Sequence, residues 1–120
     1  MKIIIPFRTP TVNHLYWHRG NMKIMTTEAK KVRDKIDKIV KRCDYIHLRN
    51  KRLIVNIDIC ENWLTQDKQI KKKDVANREK FLVDSIFKAM DIDDKYIFEQ
   101  TFRKVQSVKE IAIVEIEELK

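Results

Sequence analysis

Residues 71–94 read KKKDVANREKFLVDSIFKAMDIDD, and the interpretation of the whole chain turns on them. A lysine run leads to an isolated carboxylate, Asp74. A segment of helical periodicity follows, and a second acidic cluster, Asp93 and Asp94, lies beyond it. Val75, Leu82, Val83, Ile86, Ala89 and Met90 recur at the spacing of one buried arc, which predicts a helix over 75–90. Asn77, Lys80, Asp84 and Lys88 are spaced by three or four residues and share the opposite face. Glu79 falls inside the apolar arc, an anomaly that burial or a contact with a second copy would explain.

Around this helix the chain alternates between the two regular periods. Lys2 to Phe7 is an aliphatic strand broken by Pro6 and Pro10. Thr9 to Lys23 reads as a loop carrying Asn13, His14, Tyr16, Trp17, His18 and Arg19, with the only glycine at Gly20. Such a loop suits a phosphate backbone or exposed bases; alternatively, Tyr16 and Trp17 seal the edge of the core. Met25 to Cys43 is a helix that Thr26 or Thr27 caps, with Ala29, Val32, Ile36, Ile39, Val40 and Cys43 inward. Leu53 to Cys60 alternates as a strand, Leu53, Val55, Ile57 and Ile59 on one side and Asn56 and Asp58 on the other. Glu61 to Lys73 is a polar, mobile-looking connection. After a turn at 92–94, Ile97 to Val105 and Lys109 to Glu117 are strands expected to form a hairpin, with Glu115, Glu117 and Glu118 marking a solvated edge. The order is β-α-β-α-β-β. It predicts one α/β domain over residues 1–120, two amphipathic helices packed on a mixed sheet of about four strands.

Composition bounds the function. With 120 residues, 43% hydrophobic and 37% charged, the chain is long enough for a single core and too apolar for disorder. A net charge of +8 favours an anionic partner, nucleic acid first. No apolar run is long enough to cross a bilayer, and Cys43 and Cys60 fit reduced, packed thiols of a cytoplasmic protein. There is no Gly-rich phosphate loop, no dinucleotide fingerprint and no HExxH around His14 and His18.

The polar groups of the opening stretch suit phosphodiester chemistry. Hard divalent ions take carboxylate oxygens, which Asp74, Asp93 and Asp94 offer. Asp74 is equally placed to cap the helix. One chain brings Asp74 and Asp94 together only if the turn after the helix folds back; otherwise a dimer would assemble the site. Lys80 is positioned either to neutralise charge on a scissile phosphate or simply to pair with Asp84 one turn away. Asp58 either lines the same site or sits on an exposed sheet face. Lys68, Lys71, Lys72 and Lys73 would add phosphate affinity without base specificity.

On these residues the chain resembles the RusA-type Holliday junction resolvases. DVANREKFLVDSI follows that family's pattern D-x-D-N-x-x-K-x-x-x-D-x-L, with a paired D-D after a short turn, and VNHLYW and TTEAKKVR are similar to its N-terminal loop and first helix. The resemblance implies a homodimeric, Mg²⁺-dependent endonuclease, with Mn²⁺ as a substitute ion. It would nick four-way DNA junctions in symmetric pairs in recombination and repair, often in phage or prophage settings. By position it makes Asp74 and Asp94 metal ligands and catalytic acids, Lys80 the catalytic lysine, and Asp84 a ligand or organiser, with Asn77 and Asp93 in support. Lys71 to Lys73, Arg78 and the Asn13, Tyr16, Trp17 and Arg19 loop would hold branched DNA. One acidic position of the pattern is lost. Ala76 stands where the family has its second aspartate, and alanine has no oxygen to offer. Asp58 and Asp84 are the candidate compensators. The competing expectation is a branched-DNA-binding protein that kept the basic surface and lost catalysis.

Overall fold

The computed structural model describes residues 1–10, 16–72 and 76–120, with the backbone alone at 16–19, 23, 76 and 77. The elements run β1 (Lys2–Ile5), β2 (Tyr16–Arg19), β3 (Met22–Met25), α1 (Thr27–Lys41), β4 (Leu53–Glu61), α2 (Ala76–Met90), β5 (Ile97–Gln106) and β6 (Ile111–Glu118). Four strands form one mixed sheet in the order β1-β6-β4-β5, so the α/β architecture expected from the periodicities is the one observed. Among the described residues, no helix is long and apolar enough to cross a membrane.

β4 is the sheet's centre because its sequence fits nowhere else. Leu53, Val55, Ile57 and Ile59 are each at most 3% exposed, all on the face that the helices cover. A strand buried this completely needs partners on both edges. It pairs in parallel with β5 on one side and antiparallel with β6 on the other. The expected β5–β6 hairpin is therefore wrong. The two strands flank β4, and the connection after β5 crosses the end of β4, where Ser107 N donates to Glu61 O at 2.9 Å. For the same reason the glutamates of β6 do not mark an edge. β6 lies between β4 and β1, with Glu115 and Glu117 on the face away from the core.

Both helices lie on the inner face. Thr26 caps α1, its hydroxyl accepting from Ala29 N at 3.2 Å, while Ala29, Ile36 and Val40 are fully buried. α2 turns its apolar arc inward, with Phe81, Leu82, Ile86, Phe87 and Met90 at most 3% exposed. Its C-terminus is tightly finished. Asp91 takes a left-handed φ of 56°, Asp91 N donates to Lys88 O, and Ile92 N reaches back to Phe87 O. That is a Schellman arrangement, and buried Ile92 supplies its apolar contact. Lys41 Nζ donates to Ala89 O at 2.6 Å and an Arg49 guanidinium nitrogen to Met90 O at 3.3 Å. Two cations thus stand at the negative end of the helix dipole.

Two connections are more regular than their composition implies. Residues 16–23, expected to be loop, belong to an antiparallel ribbon that runs on to Met25, where a helix was expected to begin, and in it Arg19 faces Met22. Gly20, with φ of 61°, begins its two-residue turn, a position that glycine enters without steric cost. The 61–73 connection, expected to be mobile, closes on itself over its described part. Leu64 bridges Ile70, Lys71 N donates to Trp63 O at 2.8 Å, and Trp63 is buried.

Stability should follow this layering. Ile57→Ala empties a site at the middle of β4 and should cost about 2–5 kcal/mol. Ile4→Ala, on a half-exposed outward position of β1, should cost less than about 1 kcal/mol. Urea unfolding followed by circular dichroism measures both.

Candidate functional site

α2 and the start of β5 enclose an open cavity of about 380 Å³, lined by Glu79, Lys80, Val83, Asp84, Asp94, Ile97, Phe98, Glu99 and Gln100. Its position follows from the βαβ unit. The chain leaves α2 through the Schellman turn, doubles back, and enters β5 beside the helix it has just left. Asp94, separated from Lys80 by most of a helix in sequence, thereby lines the same space as Lys80 and Asp84. One chain is enough to bring these three together; Asp74 lies outside the described residues. A bulge assists. Leu53 pairs with Ile97 and Ile54 with Glu99, so Phe98 is the extra residue, 60% exposed, at the cavity wall.

The electrostatics of the cavity are unusual for a surface helix. Burial pushes the Asp84 carboxyl above its ordinary pKa; Lys80 opposes the shift, Asp94 reinforces it, and Arg33 of α1 opposes it. Glu79 is likewise raised, chiefly by burial, against a hydrogen bond from Gln100 Nε2 to its Oε1, with Asp84 reinforcing and Lys80 opposing. The anomalous glutamate is thus explained. It faces inward because Gln100 of β5 meets it there, at the rim of the cavity. Glu79, Gln100 and Arg33 are site residues that the sequence reading left unassigned. The only signal was Glu79's place in the apolar arc, since Gln100 is on a strand distant in sequence.

The remaining expected residues divide clearly. Asp93 lies outside the Lys80 cavity. Its carboxylate accepts from Lys95 N at 2.8 Å, capping the 3-10 turn Asp94–Tyr96, and so fixes the turn from which Asp94 projects. Asp58 does not line the Lys80 cavity. It points to the outer face of the sheet, where Arg103 Nε donates to it at 2.7 Å, away from α2. The pairing raises the Arg103 pKa, first through that hydrogen bond and then through the charge of Asp58. Arg78, expected on a basic surface, is instead buried. It is 2% exposed and ion-paired with Glu61, itself 3% exposed, with its guanidinium 5.5 Å from the Trp63 ring centre. Its position explains the error, because residue 78 precedes Leu82 by one turn and so lies on the buried stripe. Lys68 and Lys72 are exposed and Lys71 half-buried. Asn13 and Lys73 lie outside the described residues, as do the side chains of Tyr16, Trp17, Arg19 and Asn77.

The raised carboxyls set a pH dependence of stability. A carboxyl whose pKa is higher folded than unfolded favours the fold when protonated. This contribution is fully present below the ordinary carboxylate pKa and is lost as pH rises through the raised value. Glu79→Gln and Asp84→Asn should therefore raise the melting temperature at pH 7 in metal-free buffer, with the gain shrinking as pH falls towards 4. Calorimetry of both variants across that range tests the sign.

The family model of endodeoxyribonuclease RusA matches residues 6–117. No curated protein matches the chain. The match spans both helices, the central strand β4 and the whole of the Lys80 cavity. A DNA-nicking activity specific for branched structure goes with that family, and the chain belongs to the RusA family of Holliday-junction-resolving endodeoxyribonucleases.

Proposed function

We propose that the Lys80 cavity is the nuclease centre, at which one strand of a four-way DNA junction is hydrolysed with Mg²⁺, two copies of the chain making the paired symmetric nicks. The observation that carries this reading is the convergence of Lys80, Asp84 and Asp94 on one cavity from two elements distant in sequence. Asp74, outside the described residues, joins them by its place in the family pattern.

The donor set suits a hard cation. Among the described residues no three acidic, histidine or cysteine side chains stand close enough to form a metal shell by themselves. Mg²⁺ does not require one, because it keeps several waters and commonly takes only one or two carboxylates together with substrate oxygens. Asp74, Asp84 and Asp94 would hold it. When bound, it polarises a phosphoryl oxygen and lowers the pKa of water. Lys80, exposed on α2, presents its ammonium to the phosphate and offsets the charge that grows on it. Glu79 and Gln100, tied to each other, hold the helix against β5 so that the two walls of the cavity keep their spacing. Phe98 at the cavity wall offers a surface for an unstacked base.

Ala76 supports a second reading. A chain with no oxygen at that position could bind junctions through its basic surface without cutting them. The two readings separate in one experiment, a mobile four-way junction incubated with purified protein and Mg²⁺ or Mn²⁺. Nicking is expected, and Lys80→Met and Asp94→Asn should each slow it by about 10²–10³-fold while leaving junction affinity within a few-fold. Tight binding with no nicking in either metal would establish the binding protein instead.

Lysines on the 61–73 connection should act on affinity alone. Replacing Lys68, Lys71 and Lys72 together by Gln should weaken junction binding and flatten its salt dependence. The slope of log K against log salt should shrink by about 0.9 for each phosphate that is no longer neutralised. Binding titrations at several salt concentrations read this directly, and an unchanged slope would remove these lysines from the interface.

A further inference from the structure

A buried ion pair stands at the N-terminal end of α2, and the chemistry proposed above does not use it. Arg78 belongs to the first turn of α2, two residues before Lys80. Glu61 is the last residue of β4. Their side chains are 2% and 4% exposed and form an ion pair beneath the Trp63 ring. The surroundings are rigid on the strand side. Trp63 Nε1 donates to Ile59 O at 3.0 Å, and Trp63 N donates to Gln106 Oε1 at 2.7 Å. Gln106 in turn donates to Asn62 Oδ1 at 2.9 Å. Lys104 covers the Trp63 ring at 4.9 Å. The ends of β4 and β5 and the following connection are thus knitted into one block, and Arg78 joins the first turn of α2 to it.

A buried ion pair contributes little to stability beyond what well-packed apolar residues of the same volume would contribute, because desolvation consumes most of the attraction. What it supplies that an apolar pair lacks is direction. A guanidinium facing a carboxylate has one preferred arrangement, whereas a leucine facing a methionine has several. At the first turn of a helix, rotation about the axis moves every side chain on it. Arg78 and Lys80 are about 200° apart around that axis, so anchoring one inward fixes where the other points outward.

We propose that Arg78 is a positioning residue of the nuclease centre: its buried pairing with Glu61 sets the rotation and height of the first turn of α2, and so where Lys80 stands at the cavity. The inference rests on the reading of Lys80 as the electrostatic catalyst. Its test is the double variant Arg78→Met with Glu61→Leu, which keeps the site filled and leaves no charge unpaired. Melting temperature, junction dissociation constant, single-turnover nicking rate and amide hydrogen exchange over residues 80–84, whose N–H groups bond to the carbonyls of the first turn, are measured together. Positioning predicts a melting temperature near that of the native chain, affinity within twofold, a nicking rate at least tenfold lower, and faster exchange confined to those amides of α2. Glu61→Asp serves as the second variant. It keeps both charges, shortens the reach by one methylene, and should lower the rate in the same way with affinity retained. A rate within twofold of the native chain in either folded variant overturns the proposal, as does unchanged exchange over 80–84. If the native chain itself does not nick, the functional reading fails on that result alone, and the exchange measurement still decides whether Arg78 holds the turn.

Discussion

The burial of one face of β4 is the constraint on which everything else depends. Four aliphatic side chains at alternate positions, all nearly inaccessible to water, require a helical layer above them and a strand on either side. Once β4 is central, β5 must lie parallel along one edge and α2 must cross above the pair to reach it. The cavity is a by-product of that crossing. It opens where the polar side of α2 meets the beginning of β5, and the bulge at Phe98 leaves room there.

The site works against the stability of the layer that makes it. Glu79 and Asp84 are held where burial raises their pKa values, and Asp94 adds like charge to Asp84. Lys80 and, from α1, Arg33 offset part of that cost. Carboxyls kept partly desolvated are costly to the fold, and perturbed groups of this kind cluster at functional sites. The opposite arrangement is found outside the cavity. Asp58 with Arg103 and Asp93 with Lys95 N are satisfied within the chain, which accounts for their standing apart from the chemistry.

Local pattern made much of this legible. The 3.6-residue period of α1 and α2 and the two-residue period of β4 mark elements within a few residues of where they occur, because each buries one face and the spacing of apolar side chains records which. The polar stripe of α2, with Lys80, Asp84 and Lys88, was visible for the same reason. The errors arose where a side chain's partner lies far away in sequence. Arg78 looked like part of a basic surface because its counter-charge, Glu61, belongs to another element. Asp58 looked like a spare ligand until Arg103 of β5 came alongside it. Adjacent strands β5 and β6 looked like a hairpin because sequence proximity says nothing about a third strand inserting between them.

The amino-acid sequence by itself therefore determined which elements form, their amphipathic faces and the family pattern around Lys80, all of which depend on neighbours within a turn or two of the chain. Tertiary structure alone decided that Asp94 returns to Lys80, that Gln100 meets Glu79, that Asp58 pairs with Arg103 on the far face, and that Arg78 is buried against Glu61. Those outcomes depend on the sheet order β1-β6-β4-β5. That order is selected by the burial of whole faces against one another, an energy that no short stretch of sequence contains.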